Sequence, residues 1–454
     1  MNKPVETQAF LNPNELVVDR PDDGTFLVSR RLFNEAELFE LEMKYIFENT
    51  WLFLCHEGQI PNPGDFFTTE MGRQPVVISR GKDGKVYGFV NACAHRGATL
   101  CRTRKGNQQF LTCPYHGWVY DSTGKNVDIK DHATGAYPPA FEQQSHDLKA
   151  IPRLETYRGL VFGALNPDVP SLAEHLGGAA KAIDFVMDQS EHPLEVLRGS
   201  SAYTHRGNWK LQPENGIDGY HFTAVHANYV GIMKREAERR AKKAAATAGG
   251  VQRSFGGDDL LKLKSGWYDY GHGHTLMWGS FGQPQNRPVW NRREQIAQRH
   301  GAAHAEWVVG RLRNLLIFPN LLLMDHAATQ IRVIKPVSVD FTKVESYALA
   351  AREDGPEVRT RRIRQFEDFY NATGLATPDD LATFEACHDG LQGQLVPWQL
   401  GYDRGFSQAR AGGDEEAAAV GMDAQMSGPD FQDEVLLHGQ YREWLRLMSP
   451  VLTD

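Results

Sequence analysis

Cys93-Ala94-His95-Arg96-Gly97 and, with seventeen residues between His95 and Cys113, Cys113-Pro114-Tyr115-His116-Gly117-Trp118 decide how this chain is read. Two thiolates and two imidazoles at this spacing suit one iron–sulfur cluster of mixed ligation, with the cysteines on one iron and the histidines on the other. Histidine in place of cysteine raises the potential to roughly −150 to +300 mV, against about −400 mV for an all-cysteine plant-type cluster. Such a centre passes electrons onward without transforming a substrate, so an acceptor has to be found elsewhere. Cys₂His₂ is also a structural zinc set with similar pair spacing. The flanks argue against zinc: the pairs stand in two Gly-bearing loops after apolar strands, whereas a zinc finger carries both histidines late on one helix. Cys55, Cys101 and Cys387 read as small buried residues.

Outward from this motif, residues 51–166 are a series of short β-rich runs. They include Pro75–Ser79, Lys85–Val90, Gln109–Thr112, Gly117–Tyr120 and Gly159–Phe162, with turn signals at Lys82-Asp83-Gly84-Lys85 and Ser122-Thr123-Gly124-Lys125. This predicts a small all-β domain holding the cluster in its loops. Residues 167–454 read as a larger domain, and residues 1–50 as an N-terminal segment packing with it. In the larger domain, Leu172–Gln189 reads as a helix, and Ala202–His205, Thr275–Trp278, Asn320–Met324 and Gln330–Pro336 as strands of a long antiparallel sheet surrounded by helices. The fold class is α+β. Lys234–Lys243, rich in helix formers with interleaved charge, reads as a solvated helix or loop, or as a lid.

Composition limits the function classes. At 454 residues the chain exceeds the size at which one core stops growing, and 41% hydrophobic content with nine Trp and 23 Phe is ample for packed interiors. A formal charge of −8 disfavours nucleic acid as a partner, and no apolar run is long enough to cross a bilayer. The N-terminus lacks the basic and apolar regions of a signal peptide, and the five cysteines leave no disulfide framework once the cluster has its share. A cytoplasmic protein is expected, without nucleic-acid or membrane partners.

A second metal site is legible around Asp218-Gly219-Tyr220-His221-Phe222-Thr223-Ala224-Val225-His226. Two histidines with one carboxylate and open positions form the facial triad of non-haem Fe(II) oxygenases. Positions i and i+5 of a regular helix diverge by about 140°, so His221 and His226 can share a metal only if the helix is kinked or widened between them. Asp218, one turn before His221, is placed to hydrogen-bond and orient that imidazole. For the third ligand, Asp379-Asp380 offers adjacent acids at a helix start, a pair that taken alone reads more readily as a cap. His272 and His274, alternating in an expected strand, read as structural.

Together these motifs, with Asn208-Trp209-Lys210 and Gly374-x4-Asp379-Asp380, resemble the large (alpha) subunit of Rieske non-haem iron aromatic-ring-hydroxylating dioxygenases over nearly the whole chain. The wording is most similar to benzoate, toluate and anthranilate 1,2-dioxygenases, in Gly72–Pro75, Leu194–Ser201, Gly271–His274 and Ile363–Gly374. It departs from them at Ala227, at Gln212-Pro213 and across 230–265, close to the expected pocket. The resemblance implies Cys93, His95, Cys113 and His116 as ligands of a Rieske [2Fe–2S] cluster. It implies His221, His226 and Asp380, with Asp379 as the alternative to Asp380, as ligands of a mononuclear Fe(II).

It further implies a terminal oxygenase adding O₂ across the ring of an aromatic carboxylate to give a cis-diol or catechol. The assembly would be a trimer or α3β3 with a small beta subunit, electrons crossing from the cluster of one subunit to the iron of the next. Asp218 then becomes a catalytic candidate, bridging His221 to His95 or His116 of the neighbour, with His116 favoured. The chain has no GxGxxG fingerprint, so NADH would act through a separate reductase, directly or through a ferredoxin. Two rivals remain: a Rieske ring monooxygenase acting on salicylate or a related acid, and a Rieske electron carrier without oxygenase activity. Against the carrier, Ala98 and Tyr115 stand where respiratory-type centres place extra cysteines.

Overall fold

The computed structural model describes residues 12–244 and 262–452. Apolar runs between residues 52 and 164 form three small antiparallel sheets. Gln74–Arg80 lies between Val86–Val90 and Asp65–Met71, with Lys105–Asn107 beyond. Val119–Asp121 joins Phe110–Thr112 to Asn126–Asp128, and Leu160–Ala164 pairs with both Arg153–Tyr157 and Leu52–His56. The two expected turns form, with Gly84 at φ +78° and Gly124 at φ +85°, a region glycine enters without a Cβ clash. Val77, Phe89, Leu111 and Tyr120 point inward and, with Cys93, Cys113 and Trp118, make a core separate from the main one.

The larger unit is built on one antiparallel sheet. Its order is Glu195–Val196, Phe341–Ala350, Thr329–Ser338, Leu321–Asp325, Arg311–Ile317, Thr275–Ser280, Ser265–Asp269, Met426–Gly428 and Arg410–Ala411, with Ser201–Arg206 also paired to Phe341–Ala350. Arg311–Ile317 and Leu321–Asp325 are buried at every residue, so both faces of the sheet centre are covered. One cover is the helix Leu211–Ile217, packed so closely that a Cβ on Gly216 would run into Leu322; Asn314 Nδ2 donates to Gly216 O at 2.9 Å. The fold is α+β, a small all-β unit beside a larger antiparallel sheet with helices around it.

Polar contacts lock the units together. Val28 and Ser29 of the N-terminal segment pair with Gln399 and Trp398. Glu42, 1% exposed, accepts from Lys210 Nζ at 2.5 Å, Trp209 Nε1 at 2.8 Å and Trp444 Nε1 at 2.7 Å, so the Trp209-Lys210 pair serves to dock the first turn before the site. Asn320 exchanges two hydrogen bonds with the backbone of Phe53, and Arg104 pairs with buried Glu345.

Some expectations need correction. Leu172–Gln189 is two helices, Leu172–Leu176 and Ala179–Met187, because Gly177 turns into the left-handed region at φ +46° and Gly178 lies hard against the Asp423 carbonyl, where no side chain fits. His272 and His274 lie in the turn between Ser265–Asp269 and Thr275–Ser280, not in a strand, with His272 at φ +51°. Cys55 and Cys101 are buried, but Cys387 is exposed, since its helix Thr377–Leu391 turns that face outward. Lys234–Lys243 is helical within Ala227–Ala244; the Ala- and Gly-rich continuation lies outside the described residues.

Candidate active site and electron-entry site

The two cluster loops are built alike. In each, the amide of the glycine four residues on donates to the cysteine carbonyl, Gly97 to Cys93 at 2.8 Å and Gly117 to Cys113 at 3.0 Å. The cysteine amide in turn donates to the carbonyl five residues on, Ala98 or Trp118. Gly97 and Gly117 sit at φ +71° and +74°, so a side chain at either would strain the loop. The result brings Cys93 and Cys113, both buried, next to His95 and His116, whose rings approach to 4.5 Å. His95 stacks on Trp118 at 4.9 Å, and the Tyr120 hydroxyl lies 3.2 Å from Cys93 Sγ.

The Nδ1 atoms of His95 and His116 are buried without a hydrogen-bond partner. Buried ring nitrogens ordinarily find one. Two orphaned imidazole nitrogens beside two buried thiols fit the mixed donor set of a [2Fe–2S] cluster. The outer edge of the loops is open, with Tyr115 60% exposed.

The second site depends on a broken helix. Leu211–Ile217 ends at Asp218, whose backbone is extended (φ −91°, ψ 119°), a single turn Phe222–Val225 follows, and the chain leaves helical geometry again at His226 before Ala227–Ala244. Between the histidines the expected kink or widening does not form, since Val225 N donates to His221 O at 2.8 Å and His226 N to Phe222 O at 3.1 Å as in an α-turn; the two imidazoles bound this single turn and both reach Asp380. His226 Nε2 lies 3.2 Å and His221 Nε2 3.7 Å from Asp380 Oδ1, and all three donors fall within 4.8 Å of one another. Asp380 reaches them from the first turn of Thr377–Leu391, while Asp379 Oδ2 stands 3.8 Å from the opposite nitrogen of His226. Asp218 Oδ2 accepts from His221 Nδ1 at 3.0 Å, and its Oδ1 accepts the amides of Tyr220 and His221, which fixes the carboxylate.

Sequence reading missed Asn215. Its Nδ2 donates to Asp380 Oδ1 at 3.1 Å and lies 3.3 Å from His221 Nε2. It also missed His326, which bonds the Tyr370 hydroxyl and is pushed down to about 3, first by burial, so it is neutral. Burial opposes charge on His221, but the hydrogen bond and charge of Asp218, with Asp380, outweigh it and hold its pKa above the usual histidine value. A site that draws positive charge onto an imidazole suits a cation there. These residues open onto a cavity walled by Phe222, Met277, Leu312, Met324 and Phe369. Two imidazoles and one carboxylate lining a mainly apolar cavity are the donor set of a non-haem iron oxygenase.

Two other clusters lack this character. Asp188, His300 and His304 also converge, but Asp188 is already bonded by Arg158 at 2.5 Å and His304 at 2.9 Å, an ion-pair network. His274, packed edge-on to His175, uses both ring nitrogens, on His175 O and Phe318 N, as a structural histidine does.

Residues 50–152 match the family model of the Rieske [2Fe-2S] domain, and residues 194–449 that of the ring hydroxylating alpha subunit catalytic domain. The chain belongs to the ring-hydroxylating dioxygenase alpha subunits. This alpha subunit is 44% identical to the toluate 1,2-dioxygenase alpha subunit of Pseudomonas putida, over 96% of this chain and 94% of that one. It is also 44% identical to the 2-halobenzoate 1,2-dioxygenase large subunit of Burkholderia cepacia, over 95% and 91%. The structure of naphthalene 1,2-dioxygenase with indole bound superposes with a TM-score of 0.81, covering 97% of this chain and 95% of that one at 24% identity.

As an alpha subunit the protein is an oxygenase with a Rieske [2Fe–2S] cluster and a mononuclear iron, supplied with NADH-derived electrons by a separate reductase. Among the described residues no helix is long and apolar enough to cross a membrane.

Proposed function

We propose that this alpha subunit dihydroxylates an aromatic carboxylate of the benzoate or anthranilate kind, with Cys93, His95, Cys113 and His116 holding the cluster and His221, His226 and Asp380 the iron. The convergence of that triad on a mainly apolar cavity carries the reading. When bound, the cluster supplies electrons singly and the iron activates O₂ beside the ring, two electrons and two protons completing a cis-diol.

The chain's own residues do the rest. Asp218 holds the proton of His221 on Nδ1 and so turns Nε2 toward the metal. Asn215 donates to Asp380 Oδ1 and fixes which carboxylate oxygen is offered. Asp379 backs His226 from behind, which favours Asp380 over Asp379 as the ligand. Phe222, Phe369, Met277 and Met324 hold an aromatic ring flat in the cavity and exclude water.

In this reading electrons enter between subunits. Asp218 is only partly buried and adjoins Tyr220, 48% exposed, whose ring lies 4.1 Å from the Arg404 guanidinium; the cluster loops end at exposed Tyr115. Two exposed aromatic tips, one beside each metal site, suit a head-to-tail trimer in which Asp218 of one subunit bridges His221 to His116 of the next. The remaining assignments are a small beta subunit in an α3β3 complex, a ferredoxin as a further carrier, a cytoplasmic location, and a division of the chain at 1–50, 51–166 and 167–454.

Turnover with a compatible NADH-dependent reductase against benzoate, anthranilate, salicylate and terephthalate, with products identified, tests the reading. Consumption of benzoate or anthranilate with diol or catechol formation is expected. No consumption of any of the four acids would overturn the substrate class.

A further inference from the structure

Five arginines are buried among the described residues: Arg287, Arg311, Arg313, Arg332 and Arg362. Four have carboxylate partners. Arg287 and Arg313 share Asp325, Arg311 pairs with Glu416 and Arg362 with Asp354. Arg332, 3% exposed, pairs with no carboxylate of the described residues, and its Nε is buried without a hydrogen-bond partner. Its guanidinium lies 5.5 Å from the centre of the Tyr370 ring, a contact with a π face that leaves the in-plane donor edge unused.

Arg332 lies mid-strand in Thr329–Ser338, flanked in register by Leu322 and Ser346, and lines the same cavity as His221, His226 and Asp380. No other Arg or Lys lines that cavity among the described residues. A buried guanidinium without a counter-ion is costly, and the cost is relieved when an anion enters beside it. The carboxylates of the same cavity do not serve, since Asp380 is engaged by His226 and Asn215 and Asp218 by His221. The planar fork of arginine matches a carboxylate with two parallel hydrogen bonds.

We propose that Arg332 binds the substrate's carboxylate and thereby selects which ring carbons face His221, His226 and Asp380. The ligand class is a single aromatic ring bearing a carboxylate directly on it. The inference rests on the reading of the site as an aromatic-carboxylate oxygenase and adds the residue that makes the site selective for an anion. An aromatic ring held at its carboxylate end cannot turn over in an apolar cavity, so Arg332 fixes the position of oxygenation as well as affinity.

The test is anaerobic equilibrium binding of benzoate and of its neutral analogue benzamide to the holoenzyme, alongside turnover. Arg332→Gln is expected to weaken benzoate binding by about 100-fold or more, as truncation of one partner of a buried charge pair does, and to leave benzamide little changed. Arg332→Lys should fall between, because it keeps the charge and loses the fork. Added guanidinium should restore part of the benzoate binding of Arg332→Ala. Unchanged benzoate binding in Arg332→Gln overturns the inference. If the variants do not fold, the wild-type enzyme decides: strong preference for benzoate over benzamide supports a cationic partner, and equal affinity overturns it. Failure of the wild type to turn over any aromatic acid is a different result, which removes the substrate class itself.

Discussion

Asp218 does three things with one carboxylate: it takes two backbone amides and the Nδ1 proton of His221. Its replacement by Ala is expected to leave both metal centres loaded while turnover falls about 10–100-fold, the usual cost of losing a residue that orients a ligand. Metal analysis beside single-turnover rates checks this, and normal product formation would remove Asp218 from the pathway. One turn earlier, burial pushes Glu214 up to about 7, with hydrogen bonds from Tyr441 and Tyr402 only partly opposing it. The folded protein therefore keeps a proton that the unfolded chain releases near 4.5, and stability present at low pH is lost as pH rises from there through 7. Glu214→Gln should abolish that slope, so that denaturation midpoints of variant and wild type diverge between these pH values by up to about 3 kcal/mol in the variant's favour. At this scale the sequence was most legible where chemistry demands unusual residues at fixed spacing, as in Cys93, His95, Cys113 and His116. Asn215 and Arg332 were not legible, because an amide one helix away and one arginine among 49 Lys and Arg acquire meaning only from what stands opposite them. A hint existed for Arg332, the charge inside the apolar run Ile331-Arg332-Val333-Ile334.

The broken helix is the element on which the second site turns. The helix breaks before His221, at extended Asp218 and at Gly219, whose position leaves no room for a side chain: a Cβ would meet the Phe431 carbonyl oxygen at 2.5 Å. Gly219→Ala is expected to cost about 1–3 kcal/mol through overpacking and to displace His221. Iron analysis and the cluster's visible spectrum separate the effects: the variant should lose mononuclear iron and keep the cluster. Retention of both would mean that the geometry of this turn is not what holds the metal. The β-rich stretches were legible as strands because alternation and turn residues agree locally. The break at Gly177 was not, because the obstacle at Gly178 is a carbonyl from Asp423, far away in sequence.

Across the whole molecule, Glu42 is where three distant parts of the chain meet, through Lys210, Trp209 and Trp444. Glu42→Ala leaves a buried ammonium unpaired and is expected to cost about 3–5 kcal/mol, read as a lowered denaturation midpoint. Because Trp209 and Lys210 precede the helix that carries Asn215 and ends at Asp218, the same variant should loosen the iron site before the cluster. Two metal sites on separate supports make sense as one electron circuit ending at an aromatic ring, and that circuit is the central claim. Its most direct test is a single turnover of the pre-reduced holoenzyme with benzoate under ¹⁸O₂, following cluster oxidation and product together. The account predicts that the cluster is oxidised as product forms and that the cis-diol carboxylate carries both oxygen atoms from O₂. Product with one labelled oxygen, or product formed while the cluster stays reduced, would contradict it.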